Sequence, residues 1–267
     1  MAAGAGASYG ERMARTDFRT PRLYVVEALA EGAELKLEPQ QANYLLNVLR
    51  LGADARVLLF NGRDGEFAAT IAAGSRKSAS LRVRERTRPQ ETAPHVDYLF
   101  APLKHARLDY MAQKAVEMGA RRLRPVITRR TQAARVNLER LRANAIEACE
   151  QCGIIWAPEI APVETLDEAL RGWPADRLLV FCDEEAEQTS PLDALAQANA
   201  DGGVGLLIGP EGGFEDDERA AILAAPRVLR LSLGPRILRA DTAAVAALAL
   251  IQATLGDWPK QRRSDGV

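Results

Sequence analysis

The chain has 267 residues, with 35 Lys and Arg against 36 Asp and Glu, a formal charge of −1 and a hydrophobic share of 47%. That length points to two domains, and the apolar content excludes global disorder. Three cysteines cannot build a disulfide framework and fit a reducing cytoplasm. No apolar run is long and charge-free enough for a bilayer, and the first eighteen residues lack the apolar core of a signal peptide.

In chain order, residues 1–20 are Ala/Gly-rich and read as a disordered tail. Residues 21–88 read as short strands over 22–26, 55–60, 69–74 and 80–85, with Asn61-Gly62 and Asp64-Gly65 as hairpin signals. One helical insert, 39–50, places Leu45, Val48 and Leu49 on one face. A small β-barrel or sheet of this size is common among nucleic-acid modules. Pro89 and Pro94 mark a polar linker over about 87–94.

From Asp97 the pattern changes to strand–helix alternation, and 95–260 reads as one α/β domain. Strands are expected over 97–102, 123–128, 178–182, 203–209 and 228–234. Helices are expected over 106–119, 137–153, 190–200, 215–225 and 241–255, the last capped by Asp241 or Thr242. Such alternation implies a parallel sheet covered on both faces.

Charge is distributed unevenly. From Lys104 to Arg142 there are eleven basic and three acidic residues, and from Arg76 to Arg88 six and one. From Ala143 to Trp258 there are seven basic and twenty acidic residues. Two basic segments ahead of an acidic half suit a polyanion, and guanidinium forks suit its phosphates. Any single arginine is equally well read as part of a solvated face.

Two loops carry unusual composition where strands end, which is where open α/β sheets bind ligands. Gly209-Pro210-Glu211-Gly212-Gly213-Phe214 offers free amides and a stiffened turn. It matches neither the dinucleotide nor the triphosphate glycine pattern, and Glu211 suits a ligand with positive charge or hydroxyls. A tight strand-to-helix turn is the plainer alternative. Leu233-Gly234-Pro235-Arg236-Ile237-Leu238-Arg239-Ala240-Asp241-Thr242-Ala243 sets apolar side chains, suited to a ring face, between two arginines.

Taken together, GPEGG at 209–213 and LSLGPRILRADTA at 231–243 resemble the 16S ribosomal RNA uridine-N3 methyltransferase family of the SPOUT superfamily. The segments 108–131 and 143–153 are similar to further blocks of that family, and Pro21–Val25 with Asn47–Arg50 resemble its PUA-like RNA-binding domain. The chain departs from the family's usual pattern at Gln40-Gln41, Ile154 and Asp241.

The resemblance implies a SPOUT-type parallel sheet with a deep trefoil knot, preceded by a small PUA-like β-barrel, and a homodimer in the cytoplasm. It implies S-adenosylmethionine as cofactor, held by Ile208, Gly209, Pro210, Glu211, Gly212, Gly213, Leu231, Leu233, Gly234, Ile237, Leu238, Thr242 and Ala243. The implied substrate is 16S ribosomal RNA or the small ribosomal subunit, with Arg22, Arg50, Lys104, Lys114 and Arg130 as phosphate contacts.

Loss of the imide proton at N3 leaves negative charge on the flanking oxygens, and Arg239 or Arg236 is the candidate to stabilise it. Glu211 and Asp241 are candidate proton acceptors, or merely acceptors for ligand hydroxyls or helix-end amides. No metal is expected. Cys149 and Cys152 lack the partners of a four-ligand site and read as buried structural thiols, and the tryptophans as packing residues. A non-catalytic RNA-binding or ribosome-assembly protein with the same fold is the alternative function.

Overall fold

Strand β1 (Arg22–Tyr24) runs parallel to β3 (Arg56–Phe60), and antiparallel pairing adds β4 (Glu66–Ile71), β5 (Ser80–Arg88) and β2 (Glu34–Lys36), giving the order β1-β3-β4-β5-β2. The computed structural model describes residues 17, 19–72, 79–132, 135–187 and 189–258. Almost all of the expected tail over 1–20 lies outside these residues, as do 73–74 of an expected strand, Arg76, Lys77 and the end of the expected second domain. By internal contacts the chain divides into two units. One takes the described residues to Thr92 with Cys149–Ala157, the other Ala93–Ala148 and the described residues from Pro158.

The first unit's core is built by alternation. Leu23, Val57, Leu59, Ala69, Ile71, Leu81 and Val83 meet Leu45 and Ala42 from helix α1 (Pro39–Asn43) and the π-helical turn that follows it. Arg50, with φ of 56°, ends that turn. Gly62 and Gly65 both have positive φ in the β3–β4 hairpin, where Asn61 Oδ1 accepts from the amides of Arg63 and Asp64 at 3.1 and 3.0 Å. The expected barrel is an open half: β1 and β2 end the order without pairing each other among the described residues. Strand β5 extends into the expected linker and stops before Pro89.

In the second unit, β6 (Val96–Phe100), β7 (Arg122–Ile127), β8 (Glu159–Ile160), β10 (Leu178–Cys182), β11 (Val204–Ile208) and β12 (Val228–Leu231) form a parallel sheet in the order β12-β10-β11-β6-β7-β8, with β9 (Glu164–Thr165) paired to β7. Every residue of β6 and β11 is buried, as a strand covered on both faces requires. The helices are α2 (His105–Glu117), α3 (Leu138–Cys152), α4 (Leu166–Arg171), α5 (Pro191–Ala196), α6 (Asp216–Leu223) and α7 (Ala240–Thr254). On one face α4 and α6 supply Leu166, Ala169 and Ile222 to a core with Trp173, Leu99 and Leu207. Helix α7 packs on α2, α5 and β11.

Helix α7 starts one residue earlier than expected, and its cap lies two residues before Asp241. Arg239 is the N-cap, and Asp241 sits in the first turn, where a carboxylate suits the helix dipole. Cys149 is buried, its thiol pushed up by that burial, but Cys152 is exposed, which corrects the reading of both as buried. Trp156 and Trp173 are buried and Trp258 is not.

Candidate active site

A cleft of about 640 Å³ opens where β10, β11 and β12 end. The loop after β11 forms one wall. Gly213 has a φ of 72°, which favours glycine, and its amide donates to the Pro210 carbonyl at 2.9 Å. Gly209 is constrained by packing. A Cβ there would lie 2.5 Å from the Phe214 ring, which stands edge-on to Phe181 at 5.4 Å. Gly234 in the second loop has a φ of 97°, and a Cβ there would meet nothing within 4 Å.

Of the expected cofactor residues, the structure brings together Ile208, Gly209, Pro210, Glu211, Gly213, Leu231, Leu233, Gly234, Ile237, Leu238 and Ala243 along this cleft. Gly212 and Thr242 are not among its lining: Gly212 turns toward Arg130, whose Cδ would lie 3.4 Å from an added Cβ. Arg236 and Arg239 both line the cleft, are exposed, and have no side-chain partner among the described residues. Ile237 between them is 92% exposed.

Glu211 is not free. Its carboxylate accepts from Arg107 Nη1, and Arg107 Nε lies 3.4 Å from Asp241 Oδ2. At the end of β10, Asp183 accepts from Arg230 Nε at 2.7 Å and Arg219 Nη2 at 2.8 Å. Burial alone would raise its carboxyl, but the bonds from Arg219 and Arg230 outweigh this and hold it below the ordinary range. The neighbouring Cys182 thiol is pushed up to about 12 by burial and stays protonated at neutral pH. Asp183, Glu184, Glu185 and Arg107 belong to the cleft, yet no sequence motif marked them.

The expected phosphate contacts fare unevenly. Arg22 is withdrawn from any surface: its Nε donates to Glu66 at 2.7 Å with the side chain 2% exposed, because a guanidinium inside a sheet unit needs a buried carboxylate. Arg50 and Lys104 are exposed. Lys114 binds Glu117 at 2.7 Å, and Arg130 binds Glu215 at 2.8 Å and the Gly212 carbonyl at 2.6 Å. Arg22 and Arg50 belong to the first unit, the other three to the second. Among the described residues no group of His, Cys, Asp or Glu is placed to hold a metal ion, and no helix is long and apolar enough to cross a membrane.

A parallel sheet with a ligand-sized cleft at its carboxyl ends, joined to a mostly antiparallel sheet unit, defines an α/β protein with a small-molecule-sized site between two strand-end loops. Residues 90–252 match an RNA methyltransferase domain and residues 37–84 an RNA methyltransferase PUA domain. The ribosomal RNA small subunit methyltransferase E of Rickettsia conorii is 31% identical over 86% of this chain and 94% of its own length. A Legionella pneumophila methyltransferase solved with its cofactor SAM is 30% identical and superposes with a TM-score of 0.78 over 90% of this chain and 100% of its own. The ribosomal RNA small subunit methyltransferase E of Neisseria gonorrhoeae, solved with S-adenosyl methionine, has the same TM-score and coverage at 26% identity. The chain belongs to this RNA methyltransferase family.

Proposed function

We propose that the protein is an S-adenosylmethionine-dependent methyltransferase that modifies N3 of a uridine in the 16S ribosomal RNA of the small subunit. The observation that carries this is the cleft, formed in a family member by the two loops that the sequence marks. Its residues fit the cofactor. About 640 Å³ lies within the range of small-molecule sites, Ile208, Leu231, Leu233 and Leu238 offer apolar faces to a ring, and the carboxylate of Glu184, with no ion pair among the described residues, suits a cation. A non-catalytic RNA-binding protein would have no use for so complete a cleft.

When bound, the cofactor supplies a methyl group on a positively charged sulfur. The chain's own contribution is position and charge. Backbone at Gly213 and Gly234 lets the two loops turn tightly around the ligand. Arg236 and Arg239, without side-chain partners among the described residues, stand ready to stabilise the oxygens of a uracil that has lost its imide proton. Glu211 and Asp241 are the carboxylates at hand to take that proton, both beside Arg107.

In this reading residues 21–88 are the RNA-binding domain and 95–260 the catalytic domain, acting in the cytoplasm on RNA or the assembled subunit. A trefoil knot is supported by the path of the chain. Strand β12 lies at the sheet's edge, yet helix α7, which follows it, packs at the centre on α2 and β11, so residues 232–239 must cross back over the strand ends. A homodimer is supported by α7, where Val245, Ala249 and Leu250 remain only half-buried.

Mass spectrometry of small-subunit RNA from a deletion strain, with and without the gene restored, is the test. The N3-methyluridine signal is expected to vanish and return; an unchanged signal removes the assigned reaction. Restoring Arg239→Ala should leave methyl transfer down by about two orders of magnitude, on the scale of losing one charge-stabilising donor.

A further inference from the structure

One side chain touches both loops of the cleft. Arg107, in the first turn of α2, binds Glu211 in the loop after β11 and Asp241 in the first turn of α7. Those partners lie more than a hundred residues downstream, so the two ion pairs link α2, the glycine loop and the last helix. Charge favours the arrangement, because a cation between two carboxylates leaves the trio with one negative charge beside a cleft suited to a cationic ligand.

The third nitrogen of the guanidinium is the informative one. Arg107 Nη2 is buried and has no hydrogen-bond partner among the described residues, although the side chain as a whole is 32% exposed and lines the cleft. Arg122 Nε and Arg177 Nε share this status among the described residues, but neither residue lines the cleft, and at a ligand site an unmatched buried donor points to a ligand acceptor. Nη1 is committed to Glu211 and Nε faces Asp241 as an ion pair at 3.4 Å, so the guanidinium is held from two sides while Nη2 is unused.

We infer that Arg107 is the positioning residue of this cleft: it clamps the two loops together through Glu211 and Asp241 and keeps Nη2 for an oxygen of the bound cofactor. This rests on the methyltransferase reading above only for the identity of the ligand; the clamp itself does not. Lysine would keep the charge but lose the fork that serves two carboxylates and a third acceptor at once.

Two measurements separate the clamp from the ligand. Hydrogen exchange on the unliganded protein should show Arg107→Ala speeding amides in 209–215 and 233–242 while those of β6, β10 and β11 keep wild-type protection. Unchanged loops, or acceleration spread evenly over the sheet, overturns the clamp. Calorimetric titration with S-adenosylmethionine should then show affinity falling about 10- to 100-fold in Arg107→Ala, the scale of one charge-assisted hydrogen bond, and partly recovering in Arg107→Lys. Wild-type affinity in the alanine variant overturns the role of Nη2. Failure of the unaltered protein to bind the cofactor would instead remove the methyltransferase reading, and the exchange experiment would still decide the clamp.

Discussion

Asp183 combines a buried carboxylate with two arginine partners at the cleft, and its energetics have a definite sign. Its folded value is lowered from 3.8, so its contribution to stability is complete above that unfolded value and is lost as pH falls through the folded one. Asp183→Asn should therefore be less stable than the wild type in urea at pH 7, with the gap narrowing below about pH 4 as the wild-type carboxylate protonates. A gap of constant size from pH 7 to pH 3 would show that the ion pairs with Arg219 and Arg230 contribute nothing. Arg107 and Asp183 are also the residues that sequence reading could not have placed in the site. Each is defined by partners far along the chain, Asp241 and Glu211 for the one and Arg219 and Arg230 for the other, and no local motif records such a pairing.

Among the elements, β11 shows how a glycine can be structural in a place where nothing marks it. Gly205 lies mid-strand, and a Cβ there would come within 2.1 Å of the Trp173 ring, which crosses the strand and has Arg124 and Arg177 stacked at 5.5 and 5.0 Å. Trp173 is 6% exposed and its indole donates to the Arg177 carbonyl, so it has no room to retreat. Gly205→Ala should cost about 1–3 kcal/mol by overpacking, read as a lowered urea midpoint with an unchanged slope. The central strands were legible because burial on both faces makes them apolar runs, and the two strand-end loops because glycine and proline cluster there. Strands β2, β8 and β9 escaped because two or three residues cannot display a period. Helix α4 escaped for a different reason. Its signature was present as Thr165-x-x-Glu168, and the structure closes that capping box with Thr165 Nα–H donating to Glu168 Oε2 at 2.8 Å. The reach of Arg22 into Glu66 was likewise hidden, since an arginine in a strand looks the same whether it faces water or a carboxylate.

At the scale of the whole molecule, the proposed homodimer rests on the last helix. Ala243, Ala244, Ala247, Leu248 and Ile251 are covered by the protein's own core, while Val245, Ala249 and Leu250 on the other side are only partly covered. An apolar stripe on both sides of a helix is stable in water only when a second surface covers the outer one. Light scattering at micromolar concentration should therefore give twice the protomer mass, and Val245→Glu with Leu250→Glu should return a monomer. A monomeric wild type would refute the assignment of that face.

The position of β6 has a further effect during synthesis. It is the first strand of its sheet to leave the ribosome but ends in the middle, with β11 along one side and β7 along the other. Its five residues are all buried in the finished protein, and the partner on the β11 side is completed only at Ile208, about a hundred residues later. At about 5–20 residues per second, that apolar edge waits roughly 5–20 s for its neighbour. A nascent chain stalled between β7 and β11 would carry an open edge of the kind that pairs with other copies. The order in which the sheet is written thus makes aggregation most acute halfway through translation, well before the cleft exists.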